Sequence, residues 1–174
     1  NSETRASDDN IKPGYYHVPD NMFLAAELAQ LSAHASGGER WARLARRAAG
    51  ISDKVMEGIR LHGSFDGYMA GGSVYCYEAR PETPGFTADC NMMDDANVPS
   101  LLSLPYLVQG SGLLDEEQYS RTRAWVLSRL NPYYYCSEKD PSVCGVGSPH
   151  NIQYEGMVWP LSLIAQGLTA RNAS

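Results

Sequence analysis

Apolar and polar positions alternate along this chain mostly with helical spacing. Residues 1–18 read as a loop ending near the turn signal Lys12-Pro13-Gly14. From Pro19-Asp20 to about His34 the chain is apolar on most sides, which predicts a deeply buried helix with Asp20 as its N-cap. Gly37-Gly38 breaks it. Over Glu39 to Leu61, the residues Trp41, Leu44, Ala48, Ile51, Val55 and Ile59 recur at helical spacing, one apolar stripe on a charged helix. A glycine-rich loop follows over 63–73, then a short strand or hairpin over 74–78 and a Pro- and Gly-containing loop over 79–92.

Val98 to Gln109 is apolar, with Pro99 suited to a first helical turn and Pro105 placed to kink or stop it. Asp115, three residues before Gln118, starts a helix expected to run to Leu130 and to stop at Asn131-Pro132. A long loop spans 131–152, and a last helix is expected from Glu155 to Ala170. Five or six helices, little strand and long loops make an all-α chain. Loops longer than about 12–15 residues in a compact domain usually carry function.

Composition narrows the chemistry. The chain has 174 residues and a formal charge of −6, which argues against general attraction to nucleic acid. No run reaches the ~18 apolar residues of a membrane helix. Eleven Tyr and three Trp against three Phe suit a polar, flat-faced ligand such as a sugar. Cys76, Cys90, Cys136 and Cys144 form no CxxC pattern. Local disulfides 76–90 and 136–144 or free buried thiols are the alternatives. Asn172-Ala173-Ser174 is a glycosylation sequon, which with the four Cys leans towards secretion. His17, His34, His62 and His150 lie far apart, so no metal site or cofactor is expected.

The carboxylates sit in loops. Asp8-Asp9 and Asp94-Asp95 are pairs, and Glu78 follows Tyr75-Cys76-Tyr77. Acid/base work on a glycosidic bond requires two carboxyl groups, one protonated and one ionised. Arg5 beside Asp8 and Asp9 would hold one carboxylate ionised and leave its neighbour easier to protonate. Each pair taken alone also suits a helix cap or a solvated loop. Asn131-Pro132-Tyr133-Tyr134-Tyr135 and Gly145-Val146-Gly147-Ser148-Pro149-His150 add rings, hydroxyls and an imidazole, the contents of a sugar subsite.

Four blocks then point to a family. They are Arg5-Ala6-Ser7-Asp8-Asp9 with Tyr15-Tyr16-His17-Val18-Pro19-Asp20-Asn21-Met22-Phe23; Tyr77-Glu78; Met93-Asp94-Asp95-Ala96-Asn97-Val98-Pro99-Ser100 through Leu107; and Thr122-Arg123 through Thr169. In this order they resemble glycoside hydrolase family 125, the metal-independent exo-α-1,6-mannosidases. The resemblance implies part of an (α/α)6 barrel (toroid), an inverting mechanism and non-reducing α-1,6-mannose of an oligosaccharide or N-glycan as substrate. It implies Asp9 or Asp8 as the acid, although Ala6 stands where the family usually has Pro. It implies Arg5, Asn21, Glu78, Asp94, Asp95, Asn97 and His150 as substrate-binding residues, with Tyr133, Tyr134 and Trp159 walling the subsite. The family's general base lies in a Met-His-Glu-Ser-like block that these 174 residues do not contain. Residues 1–174 are therefore expected to be a partial catalytic domain, because twelve helices at this spacing would need about 400 residues. A non-catalytic carbohydrate-binding fragment or pseudo-enzyme, or a helical scaffold, is the alternative.

Overall fold

A computed structural model describes residues 14–69, 71–149 and 156–170, with the side chains of 67–69 left aside. Arg5, Asp8, Asp9 and His150 lie outside the described residues, as does the expected start of the last helix at Glu155.

The chain enters through β1 (Tyr16–His17) into helix α1 (Val18–His34). Pro19 occupies the first turn, where its missing N–H costs nothing. The cap is His17, not Asp20: the Asp20 amide donates to His17 Nδ1 at 3.2 Å. Asp20 lies inside the first turn, where its carboxylate complements the helix dipole and sits 3.0 Å from the same nitrogen. Helix α1 is buried on one face only, through Val18, Met22, Ala25 and Ala26, while Leu24 and Leu31 are exposed. The expectation of deep burial on most sides does not hold.

Helix α2 (Glu39–His62) packs against α1, and Ser52 Oγ donates to Ala25 O at 2.8 Å. It ends at Gly63, whose N–H reaches Ile59 O at 2.7 Å. A Cβ at Gly63 would stand 2.8 Å from that oxygen, so the close approach requires glycine. The buried line runs through Ala48, Ser52, Met56 and Ile59. Trp41, Leu44 and Ile51 of the apolar stripe are exposed. Periodicity found the helix but placed its buried face slightly off.

The glycine-rich loop is a hairpin instead. β2 (Ser64–Met69) pairs antiparallel with β3 (Gly72–Tyr75) around Gly71 and Gly72, both at positive φ. β4 (Glu78–Arg80) and β5 (Asp89–Asn91) join β1 in a sheet of order β1-β4-β5, which aligns His17, Glu78 and Asn91. The Cys76–Cys90 disulfide closes the base of the β4–β5 excursion. The helix expected over 98–109 shrinks to α3 (Leu104–Leu107), and Pro105 sits in its first turn rather than stopping it. Pro99 follows a cis peptide bond upstream of that helix.

Helix α4 (Glu116–Val126) starts as expected, with Asp115 Oδ1 accepting the Gln118 amide at 2.9 Å. It stops four residues early, at Leu127. The long loop after it contains a second hairpin, β6 (Tyr134–Cys136) with β7 (Cys144–Val146), stapled by Cys136–Cys144. The local pairing of all four cysteines is therefore realised, and no free cysteine remains. Helix α5 (Pro160–Leu168) closes the described chain, and its N-cap residue is Trp159. The core gathers Tyr77, Leu101, Leu102, Tyr119, Trp125 and Val126 between α1, α4 and β3. The chain is helix-rich, with three small antiparallel sheets among the described residues.

Candidate active site

The Asp94–Asn97 segment is the best-organised part of the candidate site. Asp94 is fully buried, and each carboxylate oxygen accepts a backbone amide: Oδ1 from Leu101 at 2.8 Å and Oδ2 from Leu102 at 3.0 Å. Charge-assisted bonds of this kind are stronger than neutral ones. They hold the turn Ser100–Ser103, where Ser103 Oγ accepts the Ser100 amide and Ser100 Oγ accepts the Ser103 amide. Asp95 is also buried, and its Oδ1 accepts the Asn97 amide at 2.7 Å. That Asx turn leaves the Asn97 side chain half-exposed.

Asn131 joins this segment to the tyrosine block. Its Oδ1 accepts the amides of both Asp94 and Tyr133, each at 3.2 Å, while its Nδ2 donates to Val126 O. The next link runs through the glycine block. The Ala96 amide donates to Gly147 O at 2.9 Å, and the Gly147 amide donates to Tyr133 O at 2.8 Å. Segments 94–97, 131–133 and 147–148 thus form one hydrogen-bonded frame. Ser148 is buried beside it, and Tyr133 and Tyr134 are half-buried.

Gly147 is required there by space. A Cβ would stand 2.3 Å from Met157 O and 2.8 Å from the Tyr135 ring. Gly147→Ala is expected to cost about 1–3 kcal/mol through overpacking. A lowered melting temperature in the full-length protein checks this; an unchanged one would contradict it.

Glu78 stands on the sheet, almost fully buried, with Oε2 accepting Asn91 Nδ2 at 2.7 Å. Its strand neighbour across the ladder is His17, whose ring meets Tyr77 edge-on at 4.6 Å. Asn21 is buried and donates from Nδ2 to His17 O at 2.7 Å, so it steadies the entry into α1. Trp159 is half-buried at the start of α5, outside the helix body, and its amide donates to Val146 O at 3.2 Å. Sequence reasoning included Asn131 in the tyrosine block without giving it a role, and it missed Asn91. Asn131 carried a signal, but as a helix stop before Pro132.

Burial raises the pKa of the Tyr75 and Tyr119 phenols, which keeps both protonated. Tyr119 donates to Leu102 O at 3.0 Å, a second brace on the turn that Asp94 holds. Among the described residues no group of three or more His, Cys, Asp or Glu is placed to hold a metal ion. No helix among them is long and apolar enough to cross a membrane. A cleft of about 540 Å³ lies elsewhere, between α1, α2 and β4, lined mainly by apolar side chains such as Val18, Leu24, Ile51 and Ile59. It touches the candidate residues only at Asn21.

Residues 1–174 match the family model described as metal-independent alpha-mannosidase (GH125). The chain belongs to family GH125. The chain is similar to the meiotically up-regulated gene 157 protein of Schizosaccharomyces pombe, 41% identical over 172 residues. That match covers 97% of this chain and 30% of the relative. The fold is similar to a solved metal-independent alpha-mannosidase of Streptococcus pneumoniae, in a non-productive substrate complex with alpha-1,6-mannobiose. The TM-score is 0.75 at 32% identity, over 94% of this chain and 36% of that one. The chain thus spans about a third of the length of these two proteins.

Proposed function

We propose that the full-length protein hydrolyses non-reducing terminal α-1,6-linked mannose by an inverting mechanism that needs no metal ion. The observation that carries this reading is the GH125 match across residues 1–174. The frame of Asp94, Asn131 and Gly147 supports it chemically. A site that must hold a sugar ring needs its walls fixed before the ligand arrives, and backbone-anchored turns do this at low ordering cost.

In this reading Asp9 or Asp8 protonates the glycosidic oxygen, and Arg5 holds the partner carboxylate ionised. Glu78, Asp95, Asn97 and His150 bind mannose hydroxyls. Asp94 acts on the backbone by holding the Leu101 and Leu102 amides, and Asp95 Oδ1 keeps the Asn97 backbone in place. Tyr133, Tyr134 and Trp159 supply apolar faces for the ring. The base that activates water comes from a part of the protein outside these residues, about 6.5–9.5 Å from the acid, the spacing that leaves room for a water. Residues 1–174 then form part of an (α/α)6 barrel, with mannose-containing oligosaccharides or N-glycans as the partner.

The exposed apolar residues support the partial-barrel reading. Leu161, Leu163, Ile164 and Leu168 of α5 are all exposed, as are Trp41, Leu44 and Ile51 of α2. Such faces are covered in a complete helical bundle. The lack of a Met-His-Glu-Ser-like block in these 174 residues favours a second reading for them taken alone, a carbohydrate-binding piece that does not turn substrate over.

The test is incubation of the full-length protein with α-1,6-mannobiose, with and without EDTA. Release of mannose in both is expected. Chelator-sensitive release would remove the metal-independent claim, and no release would remove the mannosidase claim.

A further inference from the structure

A side-chain cluster outside the residues assigned above continues the Glu78 face of the sheet. Side chains alternate along a strand, so Glu78 and Arg80 of β4 share a face, about 6.6 Å apart. Across the ladder Glu78 pairs with Asn91, and Arg80 pairs with Asp89. The Arg80 guanidinium lies over two rings, 4.7 Å from the centre of Tyr15 and 5.5 Å from that of Phe86. Its Nε donates to Thr87 O at 2.9 Å, and its Nη2 lies 3.9 Å from Asp89 Oδ2. The Tyr15 hydroxyl donates to the Asp89 carboxylate.

Phe86 is held out by its turn. Thr83 and Phe86 exchange both backbone hydrogen bonds around Gly85, whose φ is 91°. Phe86 is 42% exposed. A ring and a guanidinium fixed in this way offer a flat apolar face beside hydrogen-bond donors, which matches the C–H face and hydroxyls of a pyranose. Little order is lost when a sugar docks, because the Arg80 guanidinium and the backbone that carries Phe86 are already held.

We propose that Phe86 and Arg80, backed by Tyr15 and Asp89, bind the sugar on the reducing side of the scissile bond. This rests on the mannosidase reading and on Glu78 contacting the non-reducing mannose. Specificity for the leaving sugar is then carried by the β4–β5 excursion, separately from the mannose subsite.

The test compares two substrates of the full-length protein, α-1,6-mannobiose and α-mannosyl fluoride. The fluoride has no second ring. Phe86→Ala is expected to lower kcat/KM on mannobiose about tenfold more than on the fluoride, mainly through KM. Phe86→Trp is expected to restore most of it. Equal changes on both substrates would overturn the subsite and leave the mannosidase reading intact. Failure of the unaltered protein to hydrolyse either substrate would overturn the mannosidase reading, and this inference with it.

Discussion

Asp94→Ala is expected to destabilise the protein by about 4 kcal/mol. Both carboxylate oxygens hold buried amides, those of Leu101 and Leu102, and those two side chains are themselves in the core. Removal leaves two buried donors without acceptors, and each costs about 1–3 kcal/mol. Water cannot readily replace the carboxylate, because the Asp94 side chain is shielded from solvent. Asp94→Asn separates the roles of charge and geometry. Its single oxygen can serve one amide, while its NH2 group faces the other, so an intermediate loss is expected. Thermal unfolding of the full-length protein is the measurement. A loss below about 1 kcal/mol for the alanine variant would mean that the reciprocal Ser100–Ser103 bonds hold the turn alone.

Replacing the acid is expected to have the largest effect on turnover. Asp9→Asn, or Asp8→Asn if that residue is the donor, should reduce kcat on α-1,6-mannobiose by about 10²- to 10⁴-fold. A sugar alkoxide leaves poorly unless it is protonated, whereas fluoride leaves without that help. The true acid variant should therefore keep far more of its activity on α-mannosyl fluoride than on mannobiose. The other member of the pair, binding substrate or holding charge, should lose activity on both to a similar degree. The contrast assigns the pair. If neither variant discriminates between the substrates, the acid is not at Asp8-Asp9.

The elements that sequence revealed well are those whose determinants are local. Helix α2, 24 residues long, carries a regular stripe from Trp41 to Ile59, and α4 announces its start through Asp115 and Gln118. The short strands are different. β1, β4 and β5 have two or three residues each and exist because partners distant in the chain complete their ladders. No alternation pattern survives over so few positions. The 63–73 stretch reads as loop because of its glycines, yet those at 71 and 72 make the hairpin turn. Proline misled in the opposite way at Pro105, which suits a first turn as well as a stop.

The candidate site was legible as motif and not as geometry. The Asp94-Asp95-Ala96-Asn97 run is distinctive, but nothing local says that Asp94 turns both oxygens onto the backbone at 101 and 102. Asn131 lies 37 positions from Asp94 and looks like the end of a helix. Its second role exists only once the chain has folded back. Trp159 sits at the cap of α5 and not within an apolar helix, and its backbone amide bonds to Val146 O at the end of β7.

The same long-range bonds bear on when the site takes shape. Asp94 waits for Asn131, and Ala96 waits for Gly147, before the frame can close. Contacts between residues so far apart form late, because the intervening chain must first be ordered. During synthesis, at about 5–20 residues per second, several seconds separate the emergence of Ala96 from that of Gly147. Helices α1 and α2, adjacent in sequence and in contact, can dock in that interval. The hydrogen-bonded frame of 94–97, 131–133 and 147 would then be built onto a helical hairpin already in place.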